Sequence, residues 1–523
     1  MKKIFNIWIL IYSLLFSTMI MFMSKTVVGD IFSNTKDAYI KNFNYMDVLI
    51  FLMVFITSYI IFNFIIYSID KNKNENIQRK PNKKFLIIIF ILLLICWLPY
   101  ILTYFPGGLF SDTYYSINMA IGKNRINNHH PILYTLIWKL LFNISKDYTI
   151  SIFLFTIFQY LFMGFTCTCL IYYMYRKGIN KIIIIFSFLY FSLFPLIPFY
   201  IISLWKDTLF SIWILIYSVF LLYIFNRKNY IEKATNYKNI IILIIISFFV
   251  SFSRNNGIYI VGLTNIIIIM YLLKKEKSKR VKIFSLLNVL NILLIFIIQG
   301  PIYNLLNLNV DKKIESLSIP VQQVAYISNN IKMGKKDLKI LNRIMPISKV
   351  KEKYTPMIVD TLKWDDSFNQ DYFNSNIYNF LKIYIKLIFK HPKMATNAYL
   401  LQTVGFWNIN ESSSVGYIQN EMWYNKPYKM SDKFQSTFGF SIKQILNPKI
   451  YINYAIFIWI MLFTIFYLLY RKKYKLIMAI LPNLFVWLTI MIATPLAFSL
   501  RYVFSIVLSL PLYMFCIFSK EKE

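Results

Sequence analysis

Apolar residues occur in long runs along nearly the whole chain, separated by short stretches rich in Lys, Asn and Arg. A helix needs about 20 apolar residues to cross the hydrocarbon core of a bilayer. About twelve runs approach that length, at residues 4–23, 46–68, 85–104, 149–174, 181–201, 207–225, 239–253, 258–273, 283–300, 451–470, 476–493 and 502–518. This pattern predicts an all-α polytopic membrane protein with about twelve transmembrane helices.

Two pairs of runs are almost fused, one pair around SLWKD and the other around SRNNG. Both breaks contain charged residues, so we expect tight exoplasmic turns; helices broken inside the bundle are the alternative. The first run, 4–23, follows two lysines but precedes no small-x-small cleavage site. It is therefore expected to be an uncleaved first span and not a signal peptide.

Basic residues concentrate in five short loops, at 71–84, 176–181, 226–230, 274–282 and 471–475. Alternation of the spans places all five loops on the same side as the N-terminal lysines. The positive-inside rule makes that side cytoplasmic, and both termini are predicted to lie there. The loop 104–148, the two charged breaks and the long region 301–450 are then predicted to be exoplasmic.

This topology divides the chain into four parts. They are 1–84, with two spans and a basic cytoplasmic loop; 85–300, a transmembrane core with the exoplasmic loop 104–148; 301–450, a large and mostly helical exoplasmic region; and 451–523, the last three spans. Within 377–394, Lys382, Lys386 and Lys390 recur every four residues among apolar ones. This spacing predicts a helix that lies on a membrane surface.

The composition supports a membrane protein, because 58% of the residues are hydrophobic and only 15% are charged. The net charge of +34 would suit nucleic acid. However, many of the basic residues flank apolar runs or lie in one long loop. Near a membrane they set topology and meet anionic headgroups, and no nucleic-acid partner is expected. Cys96, Cys167, Cys169 and Cys516 fall inside apolar runs without metal-ligand spacing, which predicts buried packing.

The stretch FSDTYYSINMAIGKNRINNHHP, residues 110–131, gathers scarce polar side chains next to the third run. It holds Asp112 and two of the three histidines, His129 and His130. Pro106, Gly107 and Gly108 are expected to end the preceding helix. An aspartate there should be partly desolvated, which would raise its pKa and suit a general base; a helix N-cap is the alternative. The histidines are catalytic candidates beside Asp112, and one of them could join it as a ligand or orient an acceptor; the alternative is an interfacial pair hydrogen-bonded to the backbone.

Further charged and amide residues are predicted on the same face. They are Lys206 and Asp207 in SLWKDTLF, Arg254, Asn255 and Asn256 in SRNNGIY, Gln322 and Gln323 in IPVQQVAY, and Arg501 in PLAFSLRYVF. Charged residues at membrane depth are costly and usually serve a site or a pathway, although snorkelling or capping would explain any one of them alone. Together, with both signs of charge present, they predict a site for an anionic lipid carrier and a polar acceptor.

These stretches carry a resemblance. PGGLFSDTYYSINMAIGKNRINNHHPILYTL, WKDTLFS, FSRNNGIY, IPVQQVAYI and SLRYVFSIVLSLPLY resemble a branch of bacterial multi-span proteins. That branch is similar to the GT-C superfamily of membrane glycosyltransferases, which includes the protein O-mannosyltransferases. The resemblance covers roughly residues 85–518 and leaves the first two spans as an addition. It implies a GT-C-like fold and transfer of a sugar from a polyprenyl-phosphate-linked donor on the outer face of the membrane.

The resemblance also implies roles for individual residues. Asp112 matches the acidic residue that acts as base or metal partner, and Arg501 matches an arginine that meets the lipid phosphate. Arg254 and Lys206 are further candidates for binding that phosphate. His129 and His130 could join Asp112 in holding a divalent metal such as Mg, Mn or Zn. The chain departs from the superfamily in having Asp112 alone where many members carry an acidic pair, and in lacking a motif like WWD.

We predict substrate binding by Asp207, Asn255, Asn256, Gln322, Gln323 and Trp407, with Trp364 as a further aromatic residue near the acceptor. Trp407 could stack on a sugar ring or serve as an interfacial anchor. The expected partners are the lipid-linked donor, membrane lipids and a glycan, lipid or protein acceptor. An O-antigen-type polymerase or ligase, a multi-span transporter and a non-enzymatic scaffold are the alternatives. A transporter predicts ionisable residues in mid-span and an inverted repeat.

Overall fold

The protein is helical almost throughout. The computed structural model describes residues 6–28, 37–71, 79–80, 82–308, 313–410 and 453–519. Within them the only sheet is a short antiparallel pair, β1 (Thr26–Val27) and β2 (Tyr39–Ile40). The chain is therefore an all-α polytopic membrane protein, which confirms the fold class that the apolar runs predict.

The helices are numbered in chain order. Up to residue 305 they are α1 (Ile7–Lys25), α2 (Tyr45–Lys71), α3 (Lys83–Thr103), α4 (Ser111–Ala120), α5 (Ile132–Ile144), α6 (Tyr148–Arg176), α7 (Lys181–Leu193), α8 (Leu196–Ile202), α9 (Lys206–Phe225), α10 (Tyr230–Ala234), α11 (Tyr237–Ser253), α12 (Gly257–Lys275), α13 (Lys279–Ile297) and α14 (Tyr303–Leu305). After that they are α15 (Ser318–Asn330), α16 (Lys335–Ile344), α17 (Ile347–Lys353), α18 (Asp360–Lys363), α19 (Gln370–Ser375), α20 (Ile377–Lys390), α21 (Pro392–Gln402), α22 (Ala455–Tyr470), α23 (Tyr474–Ile477), α24 (Leu481–Ala493), α25 (Phe504–Leu508) and α26 (Leu510–Phe518).

Asparagine side chains start several of the long apolar helices. Asn82, Asn180 and Asn236 accept hydrogen bonds from the backbone N–H two residues later, at the first turns of α3, α7 and α11. Each bond satisfies a donor that the first helical turn leaves without a partner. The asparagines between the apolar runs therefore mark where these helices begin.

Among the described residues, eight helices are long and apolar enough to span a membrane, or nine if the bent pair α7 and α8 is one span. Every one of the twelve predicted runs contains a helix. Three of these helices, α11, α22 and α24, have 17, 16 and 13 residues and fall short of full span length. The apolar α5, with 13 residues, lies in the loop 104–148.

Burial separates peripheral helices from central ones. Only 11% of the apolar window of α2 is buried inside the protein, so this helix faces lipid. By contrast, 72% is buried for α9 and 83% for the last candidate span, Leu500–Phe518. These two central spans pack on each other through α9 and α25.

The break around SLWKD is buried, so the alternative of a helix broken inside the bundle describes it better than a tight turn at the surface does. All residues of α8 are buried, and so are Ser203, Leu204 and Trp205. The break around SRNNG is different, because Asn255 is exposed while Gly257 is buried. Freed backbone groups of a buried break must find partners inside the protein, and the partners of the SLWKD break are described below.

Residues 313–402 form a separate helical unit with its own hydrophobic core. α15 packs against α17, α20 and α21, and its core includes Val324, Ile327 and Phe380. The predicted surface helix corresponds to α20, but it ends at Lys390 and Pro392 begins α21. Its inner face is buried in the unit, while its outer face exposes large apolar side chains.

A short main-chain contact joins this helical unit to the last spans. The Val359 N–H donates to the Pro495 carbonyl at 3.1 Å, and the Ala497 N–H donates to the Met357 carbonyl at 2.9 Å. In addition, the Gln402 side-chain amide donates to the Pro495 carbonyl at 2.8 Å. The contact holds α18 beside the segment that leads to Arg501.

Gly257→Ala is expected to destabilise the turn between α11 and α12. A Cβ at Gly257 would lie 2.2 Å from the Val250 carbonyl oxygen, a backbone atom that cannot rotate away. Such overpacking costs about 1–3 kcal/mol of folding free energy. The control is Gly262→Ala on α12, because a Cβ there meets nothing within 4 Å. Thermal unfolding of the detergent-solubilised protein should show a lower midpoint for Gly257→Ala only; equal midpoints would contradict this packing.

Candidate functional site

Two irregular turns are joined by main-chain hydrogen bonds, and each leads into a helix that carries charged side chains. The Gly108 N–H donates to the Ile202 carbonyl at 2.7 Å, and the Leu204 N–H donates to the Gly108 carbonyl at 3.0 Å. Gly107 has φ +139°, and a Cβ there would lie 2.3 Å from Thr156 Oγ1, so this position requires glycine. The first turns of α4 and α9 are thereby held side by side.

Buried polar side chains complete this junction. The Gln159 amide donates to the carbonyls of residues 200, 201 and 203 at 3.1, 2.8 and 3.1 Å. Thr113 Oγ1 donates to the Leu204 carbonyl at 2.6 Å, and the Tyr134 hydroxyl donates to the same oxygen. The Trp205 ring stacks on Phe110 with centroids 3.8 Å apart. The hydrogen bonds from Gln159, Thr113 and Tyr134 satisfy carbonyls that the helix break frees. The sequence does not reveal these roles, because each is a single polar residue whose partner is distant in the chain.

Asp112 lies in the first turn of α4, and its Oδ2 atom contacts two cations. Lys206 Nζ, at the start of α9, is 3.0 Å away, and Arg501 Nη1, at the start of the last span, is 3.2 Å away. The side chains of Asp112, Lys206 and Arg501 are 25%, 16% and 20% exposed. They are shielded from bulk water, yet a ligand can still reach them.

His130 completes what we call the charge cluster, namely Asp112, His130, Lys206 and Arg501. Its Nδ1 atom is 2.7 Å from Lys206 Nζ, and the residue is 5% exposed. Because an ammonium group can only donate, Nδ1 is the acceptor and the imidazole is neutral. Burial and the charge of Lys206 lower the pKa of His130 to about 2.

A second ion pair lies next to the charge cluster. Arg254 Nε is 3.2 Å from Oδ1 of Asp207, whose side chain is 1% exposed. Arg254 Nη1 also donates to the Tyr502 carbonyl at 3.3 Å, and its guanidinium carbon lies 4.8 Å from the Tyr502 ring centroid. Consecutive residues link the two groups, Lys206 with Asp207 and Arg501 with Tyr502. Three cations therefore face two carboxylates, which leaves one excess positive charge.

The pKa of Asp112 is lowered, so the prediction of a raised pKa was wrong. Burial favours the protonated carboxyl, but the charges of Lys206 and Arg501 outweigh burial and hold the pKa well below its usual range. Both cations come from distant parts of the chain, which reasoning from the local sequence could not include. Asp112 is also not the N-cap of α4, because Phe110 occupies that position. It is an ion-paired carboxylate at neutral pH.

The two asparagines of SRNNG hold neighbouring segments in place. The Asn255 side-chain amide donates to the carbonyls of Asn128 and His129 at 3.2 and 3.4 Å. The Asn256 amide donates to Thr489 Oγ1 on α24 at 2.9 Å. Asn255 therefore positions the loop that carries both histidines, whose rings lie 4.6 Å apart.

Three other predicted substrate-binding residues are buried in packing contacts. Gln322 donates to the Thr355 carbonyl, and Gln323 donates to the Ala395 carbonyl and accepts from a tyrosine hydroxyl. Trp407 is 7% exposed and packs with residues of α1 and α21. This environment favours structural roles for all three, since a ring that stacks on a sugar must have an open face.

The residues predicted to hold a metal do not fit one. Across the described ranges, no three His, Cys, Asp or Glu side chains are close enough to share a metal ion. Within the charge cluster, Lys206 Nζ contacts both Asp112 Oδ2 and His130 Nδ1. An ammonium group thus stands where an ion bridging these two ligands would have to lie.

The fold and the site define a multi-pass membrane protein with a charged, partly open site at the ends of its two central spans. The chain belongs to DUF6020, described as a family of unknown function, whose match covers residues 119–523. The matched range includes both histidines, Lys206, Arg254 and Arg501, and begins after Asp112. No curated protein and no solved structure matches the chain.

The protonation state of His130 predicts a pH dependence of stability. In the unfolded chain a histidine has a pKa of about 6.5, far above the folded value for His130. Between those two values only the unfolded chain takes up the proton, so a fall in pH favours unfolding. The unfolding midpoint should drop as the pH is lowered from about 7 to about 5, and His130→Gln should remove part of that drop.

Asn379→Gln, an exposed substitution in the helical unit that changes no titratable group, is the control and should keep the wild-type pH profile. Thermal unfolding in buffers of equal ionic strength measures the effect. If His130→Gln and the wild type lost stability in parallel over this range, the neutral buried imidazole would be the wrong description.

Proposed function

We propose that the protein is a membrane glycosyltransferase that moves a sugar from a polyprenyl-phosphate-linked donor to an acceptor on the outer face of the membrane. The observation that carries this proposal is the pair of contacts that Lys206 and Arg501 make with one oxygen of Asp112. Two cations and a carboxylate at one point supply the groups that such a transfer needs. The resemblance to GT-C enzymes supports the same reaction class.

The donor phosphate is proposed to bind to Lys206 and Arg501, with Arg254 nearby. A sugar linked to a lipid through one phosphate carries a single negative charge, which matches the excess positive charge of the site. Arginine and lysine are the usual ligands of phosphate oxygens, and arginine can donate two hydrogen bonds at once. The phosphate would stay bound while its negative charge grows during cleavage.

The transfer itself exchanges one bond for another. An acceptor hydroxyl oxygen attacks the anomeric carbon, a new carbon–oxygen bond forms, and the bond from that carbon to the phosphate oxygen breaks. The bonding electron pair leaves with the polyprenyl phosphate, next to Lys206 and Arg501. The hydroxyl proton passes to Asp112, which is a carboxylate before the reaction.

Phosphate binding would also make Asp112 a stronger base. In the structure, the two cations hold its pKa below the usual range. A phosphate that draws Lys206 and Arg501 towards itself weakens their hold on the carboxylate and raises the pKa. The basicity of Asp112 would then appear only when the donor is in place.

The finer topology belongs to this proposal. We take α11, α22 and α24 as further spans, which gives twelve with the bent pair α7 and α8 counted as one. We take the basic loops between spans as cytoplasmic, so that in this proposal both termini lie in the cytoplasm and the charge cluster lies on the outer face. The charged residues of the site lie at helix ends and not in mid-span, which favours an enzyme over a transporter.

Asp112→Asn is expected to lower the turnover number by about 10²–10⁴-fold, the usual contribution of a general base. The assay measures sugar released from a panel of polyprenyl-phosphate-linked donors by the purified protein. Asp371→Asn, an exposed carboxylate in the helical unit, is the control and should match the wild type. Elution in size-exclusion chromatography checks that each variant is folded.

Wild-type turnover in Asp112→Asn would refute the assignment of the base. If the wild type processed no donor of the panel while remaining folded, the transferase proposal would lose to a polymerase, a ligase or a transporter.

Arg501→Gln and Lys206→Gln are each expected to weaken binding of undecaprenyl phosphate by about 10–100-fold, since each removes a hydrogen bond to a charged group. Equilibrium binding of the labelled lipid to the immobilised protein measures this loss. The control is Lys349→Gln, which removes a lysine from the exposed ion pair with Glu352 and should leave binding unchanged. Equal affinity in all three variants would contradict a phosphate site at the charge cluster.

A further inference from the structure

An exposed tryptophan of the helical unit stands close to the charge cluster. Trp364 follows α18 directly, and 51% of the residue is exposed, in contrast to Trp407. Its ring centroid lies 6.1 Å from that of His129, which in turn lies 4.6 Å from that of His130. His129 therefore lies beside both a ring of the charge cluster and a ring of the helical unit.

A buried lysine, paired with two partly exposed carboxylates, fixes the position of this tryptophan. The Lys363 side chain is 1% exposed, and its Nζ atom is 2.8 Å from Glu315 Oε2 and 3.0 Å from Asp360 Oδ1. Because each carboxylate favours the ammonium form, the pKa of Lys363 is raised although burial alone would lower it. Lys363 thus anchors α18, and the main-chain contact at Val359 ties α18 to the segment before Arg501.

We propose that Trp364, with His129 beside it, binds a pyranose ring of the acceptor, so that the acceptor is a carbohydrate. The flat apolar face of an indole suits the C–H face of a sugar ring, and hydroxyl groups at the rim can reach the imidazole. The donor sugar does not fit this place. It is joined directly to the phosphate, which is proposed to bind Lys206 and Arg501, whereas Trp364 belongs to the helical unit and lies next to His129, outside the charge cluster.

That the bound sugar is the acceptor rests on the proposed function, but binding of the sugar can be tested separately. The probes are methyl glycosides of glucose, mannose, galactose and N-acetylglucosamine, with glycerol as a polyol that has no ring. The full-length protein is placed in lipid nanodiscs, because maltoside or glucoside detergents would compete for the site. Saturation-transfer NMR measures binding to the wild type and to Trp364→Ala, Trp364→Phe and Tyr378→Ala.

We expect at least one methyl glycoside to bind the wild type better than glycerol does, and Trp364→Ala to weaken that binding about tenfold. Trp364→Phe should retain most of the affinity because it keeps an aromatic face. Tyr378→Ala removes another exposed aromatic residue of the helical unit and should bind like the wild type. Equal binding by Trp364→Ala and the wild type, or no preference over glycerol, would overturn the inference.

The donor assay separates this inference from the proposed function. Donor cleavage by a wild type that binds no glycoside leaves the transferase standing and refutes the carbohydrate acceptor. Glycoside binding that depends on Trp364, without cleavage of any donor, keeps the sugar site and refutes the transferase.

Discussion

The shared contact of Lys206 and Arg501 with Asp112 Oδ2 is the interaction on which the rest of the site depends. Two cations in a partly buried place repel each other, and desolvation penalises both. One carboxylate between them offsets part of that cost, and the neutral His130 accepts a hydrogen bond from the same ammonium. Because the three charged residues belong to three different helical segments, their contact also fixes how those segments meet.

The two buried turns make this contact possible. The helix break before α9 would leave carbonyl groups without partners in the interior, where each costs free energy. The Gln159 amide and the Gly108 main chain satisfy several of these groups. The same hydrogen bonds align the first turns of α4 and α9. The cost of an irregular backbone is thus offset by groups that also place the charged side chains.

Much of the fold could be predicted from the sequence, because hydrophobic length alone identifies membrane helices. The charged residues of the site could also be named, since charge is expensive at membrane depth. Their pairing could not be predicted: Asp112 and Arg501 are separated by 389 positions, so the sign of the pKa shift of Asp112 was missed. Gln322, Gln323 and Trp407 were assigned to substrate binding because polar and aromatic residues in a long loop suggest function. Their burial reflects a helical core that the local pattern does not reveal.

The helical unit borders the charge cluster, next to His129 and to the segment before Arg501. The helical unit contacts residues 495–497, only a few positions before Arg501. A change in the position of the unit would therefore shift the Arg501 guanidinium and the adjacent Tyr502. Because this contact lies close to Arg501 in the chain, a ligand that displaces the helical unit would also displace the guanidinium, and the helical unit and the charge cluster are therefore coupled through residues 495–497.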